Sequence, residues 1–195
     1  MRLVLTGLMA CGFAAVAGLW VATLSSSGGA TTSQVSGGWA GALRPPGARV
    51  PSFALRDQDG RVVRPASGTA VYTFLYSTCE DTCPLQVQQI RGALDDLGRD
   101  VPVIGISVDP ANDTPARARR FLLEQSMTGR MRFALGTREE LEPVWRAFGI
   151  RPQEDDLEHS AYVVLADASR AQRIGFPVGG LTSDGLRQDL ARLLG

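Results

Sequence analysis

The sequence predicts an α/β layer structure, and three observations carry that expectation. Strand-like and helix-like periodicity alternate along residues 50–195. Two of the strand-like runs, the continuous apolar Val71 to Tyr76 and Val101 to Val108, read as buried strands of a parallel sheet. Capping and turn residues fall where the period changes.

The elements follow in order. Phe53 to Leu55 and Arg61 to Val63 flank Asp57-Gln58-Asp59-Gly60, a turn sequence ending in Gly, and predict an opening hairpin. Val71 to Tyr76 is the first buried strand, and a helix follows from about Pro84 to Leu97. Val101 to Val108 reads as a second, parallel strand. Asp113 or Thr114 caps the next helix, which accepts Pro115 in its first turn because the N–H there has no intrahelical acceptor, and which buries Phe121 and Leu122. Met131 to Leu135 is a short strand. Thr137 and Glu140 then form a capping box for a helix burying Leu141, Val144, Trp145 and Phe148 and ending at Gly149. Tyr162 to Ala166 and Arg173 to Phe176 make a hairpin about a turn at Asp167 to Arg170, and Leu186, Leu190, Leu193 and Leu194 line a closing helix. Hairpin, βαβαβ, α, hairpin, α is a thioredoxin-like order with an N-terminal hairpin extension.

The chain has 195 residues, 44% hydrophobic and 21% charged, the balance of one ordinary globular head. Lys plus Arg equals Asp plus Glu at 20 each, so no net field attracts nucleic acid, which is not an expected partner. Three cysteines are too few for a disulfide scaffold, and a close pair is therefore weighed as chemistry. Leu3 to Leu24 carries no charged residue and, at ~1.5 Å per residue, is long enough to cross a bilayer as a helix. Residues 1–24 are expected to be a transmembrane anchor, with Arg2 and the terminal amine kept on the cytoplasmic side. In a bacterium this tethers the chain to the inner membrane with its head in the periplasm. A cleaved signal segment is the alternative. Leu8-Met9-Ala10-Cys11 has the look of a lipoprotein box, but the apolar run continues past Cys11, which favours a buried anchor cysteine. Residues 25–49, rich in Ser, Gly, Thr, Ala and Pro, are expected to be a flexible linker, leaving 50–195 as the head.

Cys79 and Cys83 lie in Ser-Thr-Cys-Glu-Asp-Thr-Cys-Pro, between the first buried strand and its helix. A helix N-terminus presents unsatisfied N–H groups and partial positive charge, which favour thiolate, the form that is both nucleophile and metal ligand. A spacing of four sets both sulfurs on one side of a turn, where they close a disulfide or grip one soft ion such as Cu(I). A plain structural disulfide is the bland alternative. His159, the only histidine, precedes a strand. A lone histidine is usually an ordinary surface residue, yet in a thioredoxin-like arrangement the loop entering that strand faces the first helix. Two thiolates and an imidazole suit copper; a closed zinc site wants four protein ligands, and nothing else in residues 50–195 supplies a further Cys or His. Tyr76 and Trp145 are candidate docking aromatics whose spacing favours core packing.

Three segments resemble the Sco/SenC family of copper chaperones for cytochrome c oxidase. Tyr76-Ser77-Thr78-Cys79-Glu80-Asp81-Thr82-Cys83-Pro84 is similar to the family's CxxxCP copper loop. Ile106-Ser107-Val108-Asp109-Pro110 with Asp113-Thr114-Pro115 resembles its second-strand signature, and Glu158-His159-Ser160 its histidine loop. The family often has Pro after the first cysteine, where this chain has Glu80. The resemblance implies a thioredoxin-like head that binds one copper ion, Cu(I) or Cu(II), through Cys79, Cys83 and His159. It also implies delivery of that ion to the binuclear centre of an oxidase subunit or another periplasmic copper protein, or reduction of that centre's cysteines. Asp109 is then expected near the site, tuning the ligands from behind, with a strand-end capping role as the alternative.

The leading class is thus a metallochaperone, which turns nothing over. The competing class is an enzyme, a periplasmic thiol–disulfide oxidoreductase in which Cys79 or Cys83 is the redox-active attacking group and the other resolves the mixed disulfide. Three residues between the cysteines and the presence of His159 favour the metal. A peroxide-reducing relative would carry a Pro-x-x-x-Thr-x-x-Cys loop, which the sequence lacks; a redox or copper sensor is a further reading.

Overall fold

The computed structural model describes residues 36–152 and 161–195; the expected anchor, Cys11 and His159 lie outside the described residues. No helix among the described residues is long and apolar enough to cross a membrane.

The central sheet is built on buried strands. β4 (Ala70–Leu75) is buried at all six positions and β5 (Val103–Ser107) at all five, and the two pair in parallel, Val71 opposite Val103 through Leu75 opposite Ser107. β6 (Met131–Ala134) adds in parallel beyond β5. β7 (Tyr162–Ala166) runs antiparallel to β4, and β8 (Gln172–Pro177) closes the C-terminal hairpin on β7. The order is β1-β8-β7-β4-β5-β6, with β1 (Ala42–Leu43) antiparallel to β8.

Side chains alternate across β4, so each face buries its own set. Val71 and Leu75 pack with Val87 and Ile90 of α1 (Thr82–Leu97), Phe121 and Leu122 of α2 (Pro115–Glu124), and Leu186 and Leu190 of α4 (Ser183–Leu194). Tyr72 and Phe74 pack on the opposite face with Leu141, Val144, Trp145 and Phe148 of α3 (Arg138–Phe148). The result is the expected thioredoxin-like α/β sandwich of a sheet between helical layers.

β1 corrects the expected linker. Residues 25–49 read as a tether because they carry few large apolar side chains, and from Trp39 onward they are held by other means. Gly41 approaches Ile174 and Phe176 so closely that a Cβ there would collide with both. The buried carboxylate of Asp189 accepts the N–H groups of Ala40 and Gly41, each at 2.9 Å. Arg192 stacks over the Trp39 ring at 4.5 Å. The head therefore starts before Val50, and this strap fastens its first residues to α4.

The opening hairpin forms as β2 (Leu55–Arg56) and β3 (Val62–Val63), a separate two-stranded sheet. Asp57 organises its turn: one carboxylate oxygen accepts the N–H groups of Asp59 and Arg61, and the other accepts Arg132 Nε at 2.9 Å and Nη2 at 2.8 Å. Gly60 takes the left-handed conformation that the turn requires, at φ 76°.

Helix ends follow the sequence with one change, at the start of α1. The Thr137–Glu140 capping box forms, and Thr114 caps α2 by accepting the Arg117 N–H. Asp113 is not the cap; its carboxylate turns inward to Ser77 and Ser107. α1 begins at Thr82, two residues before the expected start at Pro84, which brings Cys83 inside its first turn.

Candidate metal centre

The chain leaves β4 at Leu75 and turns toward α1, with the Cys79 N–H donating to the Tyr76 carbonyl at 3.3 Å. Asp81 occupies the position where a side chain would cap α1, yet its side chain makes no capping bond. Cys79 supplies the acceptor instead: the Cys83 N–H donates to Cys79 Sγ at 3.2 Å. This N–H is one of the donors that a helix start leaves unsatisfied, so the sulfur serves as a cap. Thr82 Oγ1 lies 3.5 Å from the same sulfur, and the Tyr76 hydroxyl also hydrogen-bonds it.

Both cysteines are free thiols, Cys83 fully buried and Cys79 7% exposed. Their acidities are pushed apart. The hydrogen bond from the Cys83 thiol lowers Cys79 to about 5, against the opposing pull of burial and with help from Thr82, the Cys83 N–H and the Tyr76 hydroxyl. The same bond, followed by burial, drives the Cys83 thiol in the other direction. Tyr76 is raised by burial and by the negative charge of Cys79, so it stays a protonated donor. At neutral pH the pair is one thiolate, near the surface, beside one buried thiol.

The two sulfurs are thus brought together as the sequence predicts. His159 falls within 153–160, outside the described residues, and among the described residues no three of His, Cys, Asp and Glu gather as a metal site. Asp109 stands beyond the end of β5, where its carboxylate accepts Asn112 Nδ2 at 2.9 and 3.2 Å and its carbonyl accepts the Asn112 and Asp113 N–H groups. Its charge also reaches Tyr76, raising that hydroxyl's pKa. Trp145 is buried, donating Nε1–H to the Ser107 carbonyl at 2.8 Å, and is core. Tyr76 packs against both halves of the core and touches the site as well. Tyr76 and Thr82 as sulfur ligators by hydrogen bond are not evident from spacing, although both lie within the CxxxCP segment.

A thioredoxin-like head with a reduced dithiol capping its first helix defines a class of proteins that handle thiols or soft metals. Within that class the chain belongs to the SCO1/SenC family, whose model matches residues 42–195, β1 included. It is 29% identical over 119 residues to Protein SCO1 homolog 1, mitochondrial, of Arabidopsis thaliana, a match covering 57% of this chain and 35% of that protein. The match thus spans about a third of the relative's length. Among solved structures it is similar to Bradyrhizobium japonicum ScoI with copper bound, at 28% identity and TM-score 0.63, covering 75% of this chain and 99% of the other. Arabidopsis thaliana ScoI with copper bound superimposes with TM-score 0.68 at 22% identity, covering 75% and 98%.

Proposed function

We propose that the head is a copper metallochaperone. It binds one copper ion through Cys79, Cys83 and His159 and supports loading of the binuclear copper centre of a cytochrome c oxidase subunit, or of another periplasmic copper protein. The observation that carries this reading is the Cys79–Cys83 pair itself, two reduced sulfurs joined across one helical turn with Cys79 held as thiolate. Paired soft donors select a soft monovalent ion, and the imidazole of His159 is the third donor that extends the set to Cu(II). Membership of the SCO1/SenC family and likeness to a copper-bound bacterial relative support the same cargo. An uncleaved anchor at 1–24 holds the head on the outer side of a bacterial inner membrane, within reach of a membrane-bound acceptor.

Anaerobic Cu(I) titration tests it. The parent chain is expected to saturate at one ion, Cys79→Ser and Cys83→Ser to lose binding, and His159→Ala to change the Cu(II) spectrum. A His159→Ala chain with unaltered Cu(II) affinity and spectrum would remove the imidazole from the ligand set.

One observation favours the thiol–disulfide reading as a second activity of the same pair. Cys79, at 7% exposure the less deeply buried of the two, is the thiolate and the fully buried Cys83 the thiol, which is the asymmetry of an attacking and a resolving cysteine. Cys79 would attack a partner disulfide, expelling one partner thiolate. Cys83 would then displace the second, leaving the head oxidised to a disulfide and the partner as a dithiol. His159→Ala should leave this exchange intact, which separates the two activities.

A further inference from the structure

Asp113 is a buried carboxylate whose observed partners are hydroxyl and amide donors. One oxygen accepts the Ser77 N–H at 2.7 Å and the Ser77 hydroxyl at 2.6 Å; the other accepts the Ser107 hydroxyl at 2.5 Å. Ser77 is two residues before Cys79, in the segment that carries the thiol out of β4. Ser107 is the last residue of β5 and is itself fixed, its hydroxyl accepting the Asp109 N–H and its carbonyl accepting Trp145 Nε1–H. The carboxylate is held from its own side too, since the Asp113 N–H donates to the Asp109 carbonyl at 2.9 Å.

We infer that Asp113 is a positioning residue for the dithiol: it ties the Cys79 segment to the rigid end of β5 and so sets where the Cys79 sulfur meets α1. β4 and β5 are locked in register up to Leu75 and Ser107, but the chain from Tyr76 to Asp81 belongs to no regular element. A carboxylate is suited to the task because it accepts on both oxygens, and bonds to an ionised acceptor are stronger than neutral ones. Burial raises the Asp113 carboxyl, and the three donors it accepts from Ser107 and Ser77 oppose that rise, which is how a buried acid is tolerated. The Thr114 hydroxyl caps α2, which leaves the neighbouring acid available for the loop.

The inference deepens the dithiol reading of the site but does not require copper, and the experiment keeps the two apart. The readout is the dithiol–disulfide equilibrium of the metal-free full chain against a glutathione buffer, where two head thiols are oxidised as one glutathione disulfide is reduced. With the tie cut, the Cys79 sulfur loses its fixed approach to the Cys83 N–H, so the reduced form loses stabilisation relative to the disulfide. Asp113→Ala is expected to lower the midpoint potential by about 30 mV, a tenfold change in the equilibrium. Ser107→Ala keeps the carboxylate and removes one donor; it is expected to change the equilibrium several-fold in the same direction and serves if Asp113→Ala does not fold. Asp189→Asn is the control. It loosens a buried carboxylate of the strap, and should lower stability while leaving the potential in place. Parental potentials in folded Asp113→Ala or in Ser107→Ala, or an equal shift in Asp189→Asn, would overturn the assignment. A parent chain that binds no Cu(I), with the potentials of Asp113→Ala and Ser107→Ala shifted as expected, would count against the copper reading and leave the assignment of Asp113 standing.

Discussion

The backbone N–H of Cys83 points at the sulfur of Cys79 across 3.2 Å, in the place where the side chain of Asp81 makes no cap. The helix start and the dithiol are therefore one structure. A thiolate at Cys79 satisfies a donor that α1 would otherwise leave open, and the helix end in turn favours the charged sulfur. The hydrogen bond from the Cys83 thiol to the Cys79 sulfur, with the backbone N–H adding to it on Cys79, explains why the two cysteines, four residues apart and both buried, have opposite acid–base character.

Selective reactivity follows. In the metal-free reduced chain Cys79 should react with iodoacetamide well below neutral pH, slowing as pH falls through about 5, while Cys83 stays unmodified. Mass spectrometry of peptides after brief labelling at pH 4 to 8 measures both. Labelling of Cys79 that is absent up to pH 7 and appears only toward pH 8 would show that its thiolate is not stabilised.

The opening hairpin depends on Asp57. Burial raises this carboxyl, but the Arg132 bond and the Arg61 and Asp59 N–H groups outweigh burial and lower it overall. Because the folded value lies below the unfolded one, near 3.9, the stabilisation is present above that value and is lost as pH falls through the folded one. Arg132 is 42% exposed, so screening reduces the contribution. Asp57→Asn should cost about 2 kcal/mol at pH 7. Urea unfolding from pH 2 to 7 should show a smaller acid loss in Asp57→Asn than in the parent.

The strap that replaces the expected end of the linker is measurable as stability. Asp189→Ala leaves the Ala40 and Gly41 N–H groups without their acceptor, at an expected cost of about 2 kcal/mol. Hydrogen exchange at those two amides should quicken in the same variant. Unchanged protection would mean that the β1–β8 pairing holds the strap alone.

Trp145 links α3 to the end of β5. Trp145→Phe leaves the Ser107 carbonyl without the indole donor and opens a small void, for an expected loss of about 2 kcal/mol in thermal or urea unfolding. A neutral substitution would show that water or repacking replaces the indole.

What the sequence showed and what it concealed divide along one line. Elements held by their own apolar side chains were legible, as with β4 and β5, the α3 stripe of Leu141, Val144, Trp145 and Phe148, and the capping box at Thr137. Elements held by someone else's atoms were not. β1 is kept by a close approach at Gly41, by Asp189 and by Arg192, about 150 residues away in the chain. Pro84 is a strong first-turn signal and points two residues past the start of α1 at Thr82, which is capped by a sulfur that no side-chain preference anticipates. In the site, the cysteine pair was legible from its spacing and its strand–helix junction. The Tyr76 hydroxyl bond and the inward turn of Asp113 were not, since each depends on a rotamer chosen by tertiary packing.

The most direct measurement is anaerobic Cu(I) titration of the reduced full chain, followed by X-ray absorption at the copper edge. One ion per chain with two sulfur scatterers, lost together on Cys79→Ser, is the predicted result. A parent chain that binds no Cu(I), or a Cys79→Ser chain that binds it unchanged, would contradict the account.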